Sequence, residues 1–202
     1  MAFSILFQGD SVTDAGRTGD AGPLGAGYPL LIAQRLEADG TGEAVLNRAI
    51  SGNRTKDLAA RWDADCVALA PDLLSVLIGV NDCWRKYDND DETPIEQIEA
   101  NYTDILSRYR AVCPQGKLIL MEPFVLPLLD RPTWRVTLDP IIHLTRRLAV
   151  EYGAKLVPLD GLLNAAGVEL GFEAVCSDGV HPTPLGHQII ADFWLKAYRE
   201  MK

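Results

Sequence analysis

The sequence predicts a three-layer α/β/α fold with a five-stranded parallel sheet between two layers of helices. Short apolar runs alternate along the 202-residue chain with longer segments of helical periodicity. Most of the short runs are almost continuously apolar, as expected of parallel strands that are buried on both faces. A regular alternation of strand and helix requires right-handed crossovers between parallel neighbours. We therefore expect a flavodoxin-like sheet, with residues 1–202 forming a single domain.

The strands are predicted from the apolar runs. They cover residues 3–9, 44–50, 73–79, 117–122 and 154–158. In a parallel sheet the carboxyl ends of the strands share one edge, and ligands bind in the crevice outside that edge. The residues that directly follow each strand are therefore the first candidates for a functional site.

The helices are predicted from apolar spacing and from their end signals. They cover residues 28–39, 54–68, 94–112, 140–152 and 184–200. The helix over 54–68 is expected to break or bend near Ala64. Thr93 and Thr183 each precede a proline and are predicted to cap the helices that follow them.

Composition excludes several classes of protein. With 48% hydrophobic and 23% charged residues, the chain has the make-up of an ordinary globular protein. No apolar run approaches the roughly 18 residues that span a bilayer, and the N-terminus reads as a strand rather than a signal peptide. We therefore expect a cytoplasmic protein with no membrane partner. A net charge of −9 repels phosphate backbones and argues against nucleic-acid binding.

Metal and disulfide sites are also not expected. The four cysteines form no Cys-x-x-Cys pair and have no partnered histidine. The glycines between residues 16 and 27 match no phosphate-binding motif and predict a flexible loop. We expect neither a metal nor another cofactor. The sequence does not determine the oligomeric state, and a homo-oligomer is compatible with it.

Polar and glycine residues follow the strands. The blocks are Gly9-Asp10-Ser11, Ser51-Gly52-Asn53, Gly79-Val80-Asn81-Asp82 and, before the last helix, Ser177-Asp178-Gly179-Val180-His181-Pro182. Three loops at one sheet edge, together with an acid–histidine pair, can converge on one crevice.

The residue types in these blocks are those that acyl transfer requires. A serine hydroxyl needs an adjacent base, and the base needs an acceptor that orients its ring. Ser11, His181 and Asp178 can fill these three roles. Oxyanion donors are available from the backbone N–H of Gly52 and the side-chain amide of Asn81.

The four blocks stand in the order found in the SGNH (GDSL-type) hydrolases, and the chain resembles that family over nearly its whole length. The resemblance implies an SGNH hydrolase fold with Ser11 as nucleophile, His181 as base and Asp178 as the residue that orients it. It also implies an oxyanion hole made of the Ser11 and Gly52 N–H groups and the Asn81 side chain.

A closer similarity is to the intracellular acetylxylan esterases of this superfamily. It is carried by residues 9–17, 50–53, 60–62 and 78–85. Members of that group commonly have an aromatic residue, often Trp, just before the catalytic aspartate, whereas this chain has Ser177. The departure leaves the predicted triad intact and changes the predicted substrate pocket.

Aromatic and basic residues near the predicted crevice suggest a carbohydrate. Tyr28, Trp84 and Tyr87 offer faces for sugar rings, and Arg54 can hydrogen-bond a polyol. We therefore predict a serine esterase that deacetylates xylo-oligosaccharides or related sugars. One alternative is a GDSL-type lipase or thioesterase acting on short fatty esters or lysophospholipids. Another is a non-catalytic carbohydrate-binding module.

Overall fold

A parallel sheet of five strands forms the centre of the protein and confirms the predicted fold class. The computed structural model describes residues 2–128 and 133–201. The strands are β1 Ser4–Gly9, β2 Ala44–Asn47, β3 Leu73–Leu77, β4 Lys117–Met121 and β5 Lys155–Val157. Their order across the sheet is β2-β1-β3-β4-β5, and every neighbouring pair is parallel. This is the strand order of flavodoxin-like folds.

Helices fill the crossovers. They are α1 Ser11–Asp14, α2 Tyr28–Ala38, α3 Thr55–Asp65, α4 Val80–Asp88, α5 Ile95–Val112, α6 Trp134–Glu151, α7 Leu159–Leu170, α8 Phe172–Val175 and α9 Pro184–Arg199. A 3₁₀ turn over Val67–Leu69 follows α3, which confirms the break predicted near residue 64. Within the described ranges, none of the helices combines the length and apolarity needed to cross a bilayer.

The alternation of side chains along the central strands separates the two helical layers. Phe7 and Ser75 are register partners in β1 and β3, and both face α9. There the indole Nε1 of Trp194 donates a 2.9 Å hydrogen bond to Ser75 Oγ. The next residue of β1, Gln8, points to the other face, where its Nε2 donates to the Asp65 carbonyl at the end of α3. Helices α9 and α3 therefore lie on opposite sides of the sheet.

Helix α6 differs from its prediction. It begins at Trp134, six residues before the predicted start at Pro140, and it contains that proline. The burial of Trp134 and Leu138 in the core stabilises the extra turns. Pro140 cannot donate to the Val136 carbonyl, but both residues are exposed, so water can bind that oxygen. Tertiary packing thus overrides the proline signal.

Four helices have no counterpart among the predicted ones, and one predicted cap is wrong. Helix α1 follows β1, α4 follows β3, and α7 and α8 fill the segment after β5. Helix α5 is preceded by Pro94, so Thr93 is not its cap. The Thr93 hydroxyl accepts a hydrogen bond from the Arg54 guanidinium instead, at 3.4 Å. Thr183 caps α9 as predicted, with its hydroxyl accepting from the Gly186 N–H.

We predict that Trp194→Ala lowers the free energy of unfolding by about 3–5 kcal/mol, because it empties a large volume between α9 and the sheet. The substitution also removes the donor to the buried Ser75 hydroxyl. Val150→Ala, at a side chain that is 85% exposed, is the control and should change that free energy by less than about 0.5 kcal/mol. Urea unfolding followed by circular dichroism measures both. Equal effects would contradict the central position of Trp194.

Candidate active site

Ser11 lies where the strand order reverses, between β1 and β3. It is the first residue of α1, and the Asp10 carboxylate caps this helix by accepting the Val12 N–H at 3.1 Å. A Cβ at Gly9 would lie 2.4 Å from the Leu77 carbonyl oxygen, so only glycine permits this approach of the two strands. The tight turn therefore presents Ser11 at the position where flavodoxin-like folds bind ligands.

The three residues predicted as a triad lie in one hydrogen-bonded chain. Ser11 Oγ is 3.0 Å from His181 Nε2, and His181 Nδ1 is 2.8 Å from Asp178 Oδ2. The other carboxylate oxygen of Asp178 accepts the backbone N–H groups of Val180 and His181, at 2.9 and 2.8 Å. Burial alone would raise the pKa of Asp178, but these hydrogen bonds together lower it. Asp178 is therefore ionised at neutral pH and orients the imidazole.

The loop that carries this acid–histidine pair is held by its own backbone. Gly179 has φ of +89°, and its carbonyl accepts the Leu126 N–H at 2.8 Å. Ser177 donates from its N–H and its hydroxyl to the His181 carbonyl, at 2.9 and 3.1 Å. The exposed Ser177 thus closes the turn, which fixes the positions of Asp178 and His181.

The two predicted oxyanion residues lie on neighbouring loops that contact each other. Asn81 is in the first turn of α4, and its Nδ2 donates a 3.1 Å hydrogen bond to the Asn53 carbonyl. Gly52, one residue earlier on that loop, has φ of +81°. A Cβ at Gly52 would meet none of the described atoms within 4 Å, so the left-handed backbone is what requires glycine here.

Two buried carboxyl groups lie behind these loops. Burial raises the pKa of Asp10 to about 7, with a further contribution from the charge of Asp82. Burial also raises the pKa of Asp82 to about 6, although the N–H and hydroxyl of Thr55 donate to its carboxylate at 3.0 and 2.8 Å. The bonds from Thr55 to Asp82 and from Asn81 to Asn53 join the starts of α3 and α4.

The predicted substrate contact of Tyr28 is wrong, because its side chain is completely buried. The hydroxyl shares a 2.8 Å hydrogen bond with Thr13 Oγ1, and the ring packs edge-on against Phe7. The ring of Tyr28, predicted from the sequence to stack on a sugar, is part of the hydrophobic core beneath α2. Arg54 is also largely buried, and its guanidinium binds the Asp91 carboxylate at 2.6 Å. Its contact with substrate stays a prediction.

Trp84 is the predicted substrate residue that lies beside the acid–base pair. Its ring centroid is 5.8 Å from that of His181 and 5.2 Å from that of Trp134. Tyr87 stacks on Trp134 at 5.7 Å, and its hydroxyl donates to the Thr133 carbonyl. Trp84, Tyr87 and Trp134 therefore form one aromatic cluster next to His181, with Trp84 nearest to it.

The other histidine, cysteine and acidic residues are expected not to form a metal site. Across residues 2–128 and 133–201, His, Cys, Asp and Glu form no group of three that could hold a metal ion. His187 is partly buried, and desolvation lowers its pKa to about 4. Its Nδ1 accepts the Tyr28 N–H at 3.2 Å, so this imidazole is neutral and serves the packing of α2 against α9.

Comparison with known proteins gives consistent matches over the whole fold. The model of the GDSL-like lipase/acylhydrolase family matches residues 7–189. An acetylxylan esterase from Geobacillus stearothermophilus is 34% identical over 203 residues, covering 95% of this chain and 92% of that enzyme. A solved structure of an acetylxylan esterase from the same species has a TM-score of 0.87 at 33% identity, covering 96% of this chain and 93% of that one. An α/β hydrolase from the metagenome of Lake Arreo, Spain, has a TM-score of 0.89 at 29% identity, covering 100% and 98%.

The raised pKa of Asp10 predicts an unusual dependence of stability on pH. Because burial moves this pKa from 3.8 to about 7, the group stabilises the folded protein below pH 3.8 and loses that contribution as pH rises through 7. Asp10→Asn keeps an oxygen for the Val12 N–H but does not titrate. The free energy of unfolding of Asp10→Asn should therefore rise relative to wild type between pH 4.5 and 8, by up to roughly 1.4 kcal/mol per pH unit.

Urea unfolding at several pH values measures this difference. Asp72→Asn is the control: hydrogen bonds from Ser4 lower the pKa of Asp72 below 3.8, so this group is ionised in the folded and the unfolded protein over this range, and the difference from wild type should not change with pH. Parallel pH curves for wild type and Asp10→Asn would contradict a buried, proton-binding Asp10.

Proposed function

This chain belongs to the GDSL-like lipase/acylhydrolase family and is a carboxylic ester hydrolase, and we propose that it removes acetyl groups from short xylo-oligosaccharides or related sugars. The observation that carries the proposal is the hydrogen-bonded chain from Ser11 through His181 to Asp178. We also propose that residues 1–202 form one domain, since one sheet and one continuous core account for the described residues. The cytoplasmic location and the absence of nucleic-acid partners stay predictions.

The proposed mechanism passes through an acetyl-enzyme. Ser11 Oγ attacks the carbonyl carbon of the acetyl ester while His181 Nε2 takes the hydroxyl proton. Asp178 stabilises the imidazolium that forms. The tetrahedral intermediate collapses, the C–O bond to the sugar breaks, and His181 returns the proton to the leaving alkoxide. Water then attacks the acetyl-Ser11 carbonyl, His181 takes its proton, and acetate leaves as Ser11 regains a proton.

The oxyanion of both tetrahedral intermediates is assigned to three donors. These are the backbone N–H groups of Ser11 and Gly52 and the side chain of Asn81. A primary amide carries two N–H donors, so Asn81 can hold the Asn53 carbonyl with one and offer the other to the oxyanion. Donors that are already in place before the reaction stabilise the developing charge without reorganisation.

A carbohydrate is favoured as the leaving group by two observations. The acetylxylan esterase of Geobacillus stearothermophilus, whose structure is also described as that of an acetyl-xylooligosaccharide esterase, matches this chain over nearly its full length. In this protein, Trp84 places an aromatic ring next to His181, where the sugar would leave. The apolar C–H face of a pyranose packs on such a ring.

We predict that Ser11→Ala lowers kcat by about 10⁴-fold or more and leaves the fold intact, because the triad acts as a unit. A serine-directed fluorophosphonate should label the wild-type protein at Ser11. Peptide mass spectrometry of the labelled protein identifies the site. Labelling at Ser51 or Ser177 in place of Ser11 would contradict the assignment.

The acyl specificity separates the proposed substrate from its alternatives. Hydrolysis of p-nitrophenyl esters should fall steeply beyond acyl chains of about four carbons, and acetate should be released from acetylated xylo-oligosaccharides. Comparable kcat/KM values for acetyl and octanoyl esters would favour a lipase or thioesterase. No hydrolysis of p-nitrophenyl acetate would favour a carbohydrate-binding module. Ser11→Ala serves as the blank for every substrate.

A further inference from the structure

Asp14 is a buried carboxylate that the mechanism above does not use. It is the last residue of α1, three positions after Ser11, and its side chain has no exposed surface. Asp14 Oδ2 accepts the Ser51 N–H at 2.7 Å and the Ser51 hydroxyl at 2.8 Å. The same carboxylate accepts the Thr18 N–H at 3.0 Å and the Thr18 hydroxyl at 2.9 Å. One carboxylate therefore holds both the loop after β2 and the start of the glycine-rich segment.

The backbone of Asp14 cannot shift independently of Ser11. Ala15 closes α1 in the left-handed conformation, with φ of +45°, and its N–H returns to the Ser11 carbonyl at 3.0 Å. Gly25 packs so closely that a Cβ there would lie 2.1 Å from the Asp14 carbonyl oxygen. The backbone of Asp14 is therefore fixed relative to that of Ser11, one helical turn away.

The segment that Asp14 holds contains one of the assigned oxyanion donors. Ser51 immediately precedes Gly52, so the Ser51–Gly52 peptide bond carries the Gly52 N–H. On the far side of this peptide, the Asn53 carbonyl accepts the side chain of Asn81 at 3.1 Å. The Gly52 peptide thus lies between two anchors, one on the helix of Ser11 and one on α4.

We propose that Asp14 is a positioning residue that acts through Ser51 to set the place of the Gly52 N–H relative to Ser11 Oγ. The proposal rests on the oxyanion role given to Gly52 above. The lowered pKa of Asp14 agrees with this positioning role, because the hydrogen bonds from Ser51 and Thr18 outweigh the effect of burial and keep the Asp14 carboxylate ionised. Asp14→Asn has one acceptor oxygen in place of two, so an amide N–H must face Ser51 or Thr18.

Asp72 offers a matched control at the opposite end of the sheet. Its Oδ2 accepts the Ser4 N–H at 2.7 Å and the Ser4 hydroxyl at 2.9 Å, which is the same pair of bonds that Asp14 makes to Ser51. Asp72 directly precedes β3, at the amino ends of the strands, whereas Ser11 follows the carboxyl end of β1. Asp72→Asn therefore removes a similar carboxylate–serine contact away from the site.

We predict that Asp14→Asn lowers kcat for p-nitrophenyl acetate by about 10–100-fold and changes KM by less than about threefold, because the oxyanion forms only in the transition state. Labelling of Ser11 by the fluorophosphonate passes through a similar charged oxygen and should slow by a comparable factor. Asp72→Asn and Thr18→Val should stay within about twofold of wild type in both measurements. Ser51→Ala should slow both reactions, and Asp14→Asn/Ser51→Ala should be no slower than Asp14→Asn.

Several results would overturn the proposal. One is a folded Asp14→Asn whose kcat and labelling rate match those of Asp72→Asn. Another is an unaffected Ser51→Ala beside an impaired Asp14→Asn, since Asp14 would then not act through Ser51. If Asp14→Asn does not fold, the labelling rate of Ser51→Ala decides alone. Failure of the serine mechanism is distinct, because it would leave Ser11→Ala as active as wild type.

Discussion

The parallel pairing of β1 with both β2 and β3 is the constraint on which the rest of the site depends. The pairing of β1 with β3 ends at Gly9, where the close approach to the Leu77 carbonyl leaves no room for a side chain. The chain must turn there, and the turn starts α1 at Ser11. The loops after β2 and β3 leave the sheet at the same edge and on either side of this turn, so Gly52 and Asn81 flank it. The His181 loop comes from the other end of the chain and meets this turn where His181 Nε2 contacts Ser11 Oγ.

Three buried carboxyl groups surround these loops, and their hydrogen-bond donors decide their ionisation. Burial of a charged carboxylate is costly unless donors replace the lost water. Asp14 receives four hydrogen bonds from Ser51 and Thr18, and its pKa is lowered despite burial. Asp82 accepts hydrogen bonds from the N–H and hydroxyl of Thr55, and its pKa is raised to about 6. Asp10 caps α1 through the Val12 N–H, and its pKa is raised to about 7. The site thus combines an ionised carboxylate, Asp14, with two carboxyl groups, Asp10 and Asp82, whose pKa values burial raises toward neutrality.

The aromatic residues form two groups. One group packs in the core against the sheet, and the other lies beside His181. Tyr28 and Trp194 pack beneath Phe7 and belong to the layer of α2 and α9. Trp84 belongs to α4 and reaches His181, with Trp134 behind it. Ser177 stands where the resemblance to acetylxylan esterases implies an aromatic residue, and its hydroxyl closes the turn that carries the acid–histidine pair. The wall beside His181 in this protein is therefore supplied by α4 rather than by the residue before Asp178.

The sequence by itself determined the parallel sheet, the right-handed crossovers and the residues that follow each strand, because continuous apolar runs and polar blocks are local signals. It also predicted that Ser11, Asp178 and His181 come together, because their residue types and order match one kind of chemistry, and the three side chains do lie in one hydrogen-bonded chain. Only the tertiary structure decided which of the other candidates reach the site. Tyr28 is buried and Pro140 lies inside α6, because packing against the core outweighs the signals of a single aromatic residue or proline. The hydrogen bond from Ser51 to Asp14 joins residues that are 37 positions apart in the sequence. This contact forms only when β1 and β2 are paired, so no local sequence pattern predicts it.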